Sequence, residues 1–106
     1  YTTAPDLARF WDALVGYRLL SRASVDKMLT PHWPTDPDDD ETHYGYGLWM
    51  EREKGEARVY YMLGEDPGVA FFSGFYPTGR IQFSLIGNTV AASWPMLKCI
   101  TPILNL

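Results

Sequence analysis

The hydrophobic period of this chain changes twice, and that switch limits the available folds more than any other feature. Leu7, Phe10, Trp11, Leu14 and Val15 recur at the spacing of one helix face, and Val25, Met28 and Leu29 repeat it on a shorter segment. From Tyr44 the period drops to two: Tyr44, Tyr46, Leu48 and Met50 alternate with Gly45, Gly47, Trp49 and Glu51. Val59, Tyr61 and Leu63 share one side of a second strand over 57–63, and the segment 69–76 is apolar on both faces. In a fourth strand, 81–86, Ile81, Phe83 and Leu85 lie opposite Gln82 and Ser84. After Ser93 the stripe of Met96, Leu97, Ile100, Ile103 and Leu104 is helical again. The order helix, helix, four strands, helix, with short connections, predicts an α+β fold. Its sheet is an antiparallel four-stranded one, with two N-terminal helices and one C-terminal helix packed on one face. At 106 residues, 1–106 is read as a single domain or a fragment with one modest core.

Local signals set the boundaries. Thr3 can cap the first helix while Asp6 reaches back, and Pro5 sits in the first turn where no donor is lost. Gly16 offers a stop, giving helices over 4–16 and 22–30, the second opening at Ser21 and closed by Pro31. Residues 31–43 read as a solvated acidic loop, because Pro31, Pro34 and Pro37 interrupt regular structure and Asp36, Asp38, Asp39, Asp40 and Glu41 repel one another. Those aspartates are hard oxygen ligands, but they lack the spacing and the glycine bend of a calcium loop. The sheet then spans 44–88, with turns at Lys54-Gly55-Glu56, at Gly64–Gly68 and at Pro77-Thr78-Gly79. The last helix is placed at 93–104, capped by Ser93, with Pro95 in its first turn and Pro102 fraying its end.

Composition removes several functional classes. Nine Lys and Arg against thirteen Asp and Glu give a net charge of −4, a poor start for a nucleic-acid binder, which needs a cationic face, so no nucleic-acid partner is expected. A single cysteine precludes an internal disulfide, and with two histidines it makes a poor zinc cage, so no metal and no cofactor are expected. No apolar run reaches the ~18 residues of a membrane span. The chain opens on Tyr1-Thr2-Thr3 without a basic-then-apolar leader and enters a helix cap at once. Two readings of that start stand: a piece cut from a longer polypeptide, or a complete small domain with a trimmed beginning.

Few residues carry chemistry. Ser24-Val25-Asp26-Lys27 spells S-x-x-K, in which a lysine one turn on takes a serine proton. Here the serine lies near the start of a short helix and Lys27 looks outward between Val25 and Met28, so a chance match is the preferred reading. His32 and His43 flank the acidic loop without a nucleophile or orienting group nearby in sequence. Tyr60 and Tyr61 are read as cross-strand packing residues and Cys99 as a small buried hydrophobe. More specific is the run from Tyr60 through Gly64, Pro67 and Gly68 to Val69. A strand ending this way either presents an open edge to a peptide-like ligand through main-chain hydrogen bonds or is a bulged hairpin.

Four stretches together resemble the C-terminal part of a serine β-lactamase-like domain, the class C β-lactamase and penicillin-binding-protein family. They are Tyr1-Thr2-Thr3-Ala4-Pro5-Asp6-Leu7-Ala8-Arg9-Phe10, then Leu19-Leu20-Ser21 running on to Met28-Leu29-Thr30-Pro31, then Tyr44-Gly45-Tyr46-Gly47-Leu48-Trp49, and finally Gly64 with Pro67 and Gly68. Asn88 falls where the family's following strands end. The resemblance implies that the nucleophile and base motifs lie upstream, that Ser24 is not catalytic, and that no catalytic residue is present, so the chain alone is expected to be inactive. It implies that Met62, Leu63, Gly64 and Glu65 form the substrate-binding strand. Met62 stands at the family's basic His or Lys position and Leu63 at its Thr position, and Glu65 would offer a backbone N–H to an oxyanion hole. A small-molecule or peptide substrate is then a partner of the intact parent only, and a non-catalytic binding or interaction domain is the alternative. The missing remainder of the family's sheet also implies a homo-oligomer, joined through an open edge at 81–86 or a face left bare around Phe72, Tyr76 and Trp49.

Overall fold

The computed structural model describes residues 1–104 and 106, with Asp39 described through its backbone alone. Two helices come first, α1 (Ala4–Val15) and α2 (Arg22–Met28). Six strands follow: β1 (Trp33–Asp36), β2 (Asp39–Tyr44), β3 (Trp49–Glu53), β4 (Glu56–Asp66), β5 (Val69–Tyr76) and β6 (Ile81–Gly87). A short 3-10 turn, Thr78–Arg80, precedes β6, and α3 (Val90–Ile103) closes the chain. The strands form one antiparallel meander in the order β1-β2-β3-β4-β5-β6.

Each end of α1 is held by local chemistry. The Thr3 side chain accepts from the Asp6 amide at 3.3 Å and donates to the Asp6 carboxylate at 2.8 Å. That hydrogen bond, and then Arg9 at 2.8 Å, hold the Asp6 carboxyl below its ordinary pKa. Gly16 is the C-cap, but the left-handed position after it belongs to Tyr17, with φ of 59°. Bonds from Tyr17 N to Leu14 O and from Arg18 N to Ala13 O close the helix in a Schellman arrangement. Helix α2 is capped by Ser21, whose hydroxyl accepts from Ser24 N.

The sheet departs from expectation in three places. Among the described residues it has six strands rather than four, because the supposed acidic loop 31–43 folds into the β1–β2 hairpin. Register comes from Trp33 opposite Tyr44, Pro34 opposite His43 and Asp36 opposite Asp39, with an irregularity between Pro34 and Asp36. Pro34 is tolerated because β1 is an edge strand, where a missing N–H interrupts no second ladder, and Pro37 falls in the turn after it. Its charges are partly matched: Asp40 lies between His43 at 3.3 Å and Arg52 at 3.4 Å. Second, the alternation over 44–50 is not one strand. β2 ends at Tyr44, Gly45 N donates to Leu48 O at 2.8 Å, and β3 begins at Trp49. Third, β4 runs through Gly64 and Glu65 to Asp66 instead of stopping at residue 63. Lys54 and Gly55, both at positive φ, make the tight β3–β4 turn as a primed hairpin requires. The final helix starts at Val90, three residues before its expected cap; Ser93 is buried inside it and donates to Thr89 O.

Both faces of the sheet are covered, against the expectation of helices on one face. On one side α1 and α2 bury Trp11, Leu14 and Val25 against Leu48 and Phe75, with Tyr60 and Met62 packed alongside. On the other, Trp94 and Leu97 of α3 cover Val59, Tyr61, Phe72, Tyr76 and Leu85. Phe72 and Tyr76, expected to lie bare, are therefore buried. Removing each such side chain from water is worth about 1.5–3 kcal/mol, so α3 is an integral layer of the fold.

Candidate functional site

The two ends of β4 differ. From Glu56 to Tyr61 it pairs with β3, and at Tyr60 and Tyr61 it pairs with β5 as well. Beyond Tyr61 the β3 partner stops, because the Gly45–Leu48 turn carries the chain away. Among the described residues, Met62, Leu63, Gly64, Glu65 and Asp66 pair only with Ser73, Phe72, Phe71, Ala70 and Val69 of β5. Their other side is an open edge of five residues, roughly 16 Å of extended backbone. The hairpin that ends it is tight, with Pro67 and Gly68 between paired Asp66 and Val69, and Gly68 at φ of 83°. A two-residue loop makes Asp66 and Val69 a hydrogen-bonded pair. Alternation then commits the Met62 and Gly64 peptide groups to β5 and turns those of Leu63 and Glu65 outward along the edge.

Thus the four residues singled out in the sequence are consecutive on one strand, but their side chains part. Met62 packs into the α1–α2 core, and Leu63 is 47% exposed on the other face. A Cβ on Gly64 would meet nothing within 4 Å, so this stretch can be approached closely. Glu65 is exposed, and its carboxylate accepts from the Trp94 indole N–H at 2.6 Å. That bond fixes an anion beside the open edge, and Trp94 lies 29 residues further on, beyond the reach of sequence spacing.

The other candidates are not gathered here. Ser24 is exposed, its hydroxyl shared with the Ser21 hydroxyl at 2.9 Å, and Lys27 is exposed too, so the S-x-x-K pair lacks a buried amine. His32 binds the Lys27 carbonyl at 2.8 Å and lies against Tyr46, ring centroids 4.3 Å apart. His43 is buried to 6% exposure with Nε2 toward Asp40, and its Nδ1 has no partner among the described residues. Cys99, expected to be buried, is exposed on α3. Among the described residues no group of three or more His, Cys, Asp or Glu is placed to hold a metal ion, and no helix is long and apolar enough to cross a membrane.

Tyr60 and Tyr61 are packing residues, Tyr61 within an aromatic ladder. It runs Tyr44–Trp49–Tyr61–Phe72–Phe83 over five adjacent strands, with centroid separations of 4.9, 6.4, 5.6 and 6.0 Å. Burial, reinforced by Glu51, pushes the Tyr61 phenol up to about 12. A larger open concavity of about 1080 Å³ lies toward the other end of β4, lined by Glu51, Arg58, Tyr76 and Ile81 among others. Its Arg58 is engaged with the Leu106 carbonyl at 2.7 Å and Glu51 at 3.5 Å.

This chain thus has a mixed fold, an antiparallel sheet covered on both faces with a strand left open beyond a hairpin. Among solved structures it is similar to a penicillin binding protein from Bacillus halodurans, with a TM-score of 0.88 and 33% identity over 96% of this chain. It is also similar in fold to a D-stereospecific amidohydrolase from Streptomyces sp., with a TM-score of 0.69 and 23% identity over 83% of this chain. Both have the serine β-lactamase and penicillin-binding-protein fold, and this chain has the fold of a fragment of it. It spans 31% of the first protein's length and 26% of the second's. No protein-family model matches the chain, and no curated protein matches it by sequence.

Proposed function

We propose that these residues are the C-terminal part of a serine β-lactamase- or penicillin-binding-protein-like hydrolase domain, supplying the strand beside which substrate lies while the nucleophile comes from outside them. The observation that carries this is the open edge of β4 at Met62–Asp66, the stretch that the resemblance assigns to substrate. An extended amide beside it would gain main-chain hydrogen bonds from Leu63 and Glu65. The outward Glu65 N–H is a donor for a developing oxyanion, a role that does not depend on its side chain. Ser24 and Lys27 take no part, since both are exposed and the lysine lacks the desolvated surroundings that activating a serine requires.

A second reading rests on Met62 and Leu63: neither side chain can donate to a substrate carboxylate, which suits a relative that kept the scaffold and lost the chemistry. Two measurements test these readings. Exposure of the chain to a fluorescent penicillin should leave no covalent label, and a label abolished by Ser24→Ala would overturn the assignment of the nucleophile elsewhere. Reading the coding sequence upstream then decides between the two. A well-placed S-x-x-K and Y-x-N restores a catalytic parent, and their absence favours the binding domain.

A further inference from the structure

We propose that the open edge of β4 selects an extended peptide segment carrying a positive charge and rejects one carrying a carboxylate. This rests on the reading of β4 as a ligand-binding strand, and it names the chemistry of what binds there. Three observations carry it. The outward peptide groups of Leu63 and Glu65 supply main-chain donors and acceptors for an added strand, the recognition mode of an exposed sheet edge. Glu65 holds its carboxylate on the same face as Leu63, fixed by the Trp94 indole, and the exposed Asp66 follows it. Among the described residues no lysine, arginine or histidine is ion-paired with Glu65 or Asp66.

A strand added along this edge places alternate side chains on the α3 face, where Leu63 and Glu65 lie. An alkyl stem over Leu63 and an ammonium or guanidinium group at Glu65 satisfy both positions, because long cationic side chains lay an apolar stem along apolar surface. Since the indole already donates to one oxygen, the carboxylate need not be ordered on binding. Its remaining acceptor capacity is available for a charge-assisted hydrogen bond. A ligand carboxylate at the same place meets the Glu65 anion, and the donor beside it, the Trp94 indole, is already engaged. Met62, the residue at the family's basic position, faces the other side of the strand within the core.

The test uses the whole chain and three fluorescent pentapeptides of equal length, blocked at both ends, with two central lysines, two glutamines or two glutamates. Fluorescence anisotropy at low salt gives affinities, and amide chemical shifts locate the contact. The lysine peptide should bind at least tenfold more tightly than the glutamate peptide, with the glutamine peptide between, and shifts should centre on 62–66. Glu65→Gln keeps an acceptor for Trp94 and should bring the lysine and glutamate affinities within threefold. Leu63→Pro removes the outward N–H while retaining Glu65, and should weaken all three peptides together; the shift map serves if that variant folds poorly. Equal affinity of all three peptides, with shifts at 62–66, would overturn the charge selection and leave the strand reading intact. Binding of none at millimolar concentration would overturn the strand reading itself. A lysine preference that survives Glu65→Gln, with shifts on the acidic β1–β2 hairpin, would also sink the proposal, by assigning the effect to net charge.

Discussion

Replacing Ser73 by alanine removes one oxygen from the interior and tests how the α1 layer is fixed to the sheet. Trp11 and Ser73 are both fully buried, and the indole N–H donates to the Ser73 hydroxyl at 2.8 Å. That hydroxyl in turn contacts the Ser84 hydroxyl at 2.8 Å, which also accepts from the Gln82 side-chain amide. An indole has one donor and no acceptor, so Ser73→Ala strands the Trp11 N–H away from water. A stranded buried donor costs about 1–3 kcal/mol, and the expected loss here is about 2 kcal/mol. For a chain of this size each kcal/mol corresponds to roughly 4–8 °C of melting temperature. Urea unfolding followed by far-UV circular dichroism should show a lower midpoint with an unchanged slope. Ser84→Ala leaves Ser73 in place for Trp11 and should cost less than about 1 kcal/mol. The decisive comparison is the double mutant: in a Trp11→Phe background no donor is left to strand, so Ser73→Ala should lose most of its effect. An equal cost in both backgrounds would refute the reasoning and attribute the loss to packing alone.

Other perturbations probe the second core, the titration of its tyrosines and the sheet edges. A Cβ on Gly74 would lie 2.9 Å from the Phe72 ring and 3.2 Å from Val59, so Gly74→Ala should destabilise by about 1–3 kcal/mol in the same urea assay. Folding raises the Tyr61 pKa from 10.0 to about 12 and raises those of Tyr60 and Tyr76 as well. The neutral phenol is therefore the form favoured by folding. Its stabilisation is complete below pH 10 and fades as the pH climbs toward 12, by on the order of 2 kcal/mol for Tyr61. Midpoints measured from pH 8 to 11 should fall, and Tyr61→Phe should flatten that fall. Lastly, β6 is paired only to β5, and Ile81 and Ile86 are 36% and 54% exposed. That open edge is expected to join two copies, so sedimentation equilibrium at micromolar concentration should report a dimer that Ile86→Lys dissociates.

What the sequence disclosed about the fold follows the distinction between local and non-local signals. Both N-terminal helices were legible because cap and periodicity act within a few residues, as at Thr3 with Asp6 and Ser21 with Ser24. The strands over 57–86 were legible because residues buried on alternate faces must be apolar there. The β1–β2 hairpin was not, since β1 is exposed throughout and the rule linking apolar alternation to strands has nothing to act on. What forms it is pairing with a neighbour, Tyr44 and His43 against Trp49 and Met50, which composition does not reveal. Tyr44–Met50 misled in the opposite sense. Its alternation is genuine, but Gly47 at φ of 78° belongs to a turn, and spacing alone does not separate a turn from a strand rich in glycine.

The candidate site divides along the same line. Its residues could be named in advance from the family resemblance, in which Gly64, Pro67 and Gly68 form a short motif. From sequence the open edge is only one of two alternatives, beside a bulged hairpin, because it depends on where β3 stops relative to β4. That point is set jointly by the Lys54-Gly55 turn, which fixes the register, and the Gly45–Leu48 turn, which ends the cover after Trp49 meets Tyr61. Adding two residues of pairing to β3 would cover Leu63 and close off part of the edge without altering any residue of the motif. The charge beside the edge is equally non-local, since Glu65 is held by a tryptophan on the helix that covers the second core. The open strand and the core layer are thus mechanically linked: α3 cannot shift on the aromatic ladder without moving the donor that orients Glu65.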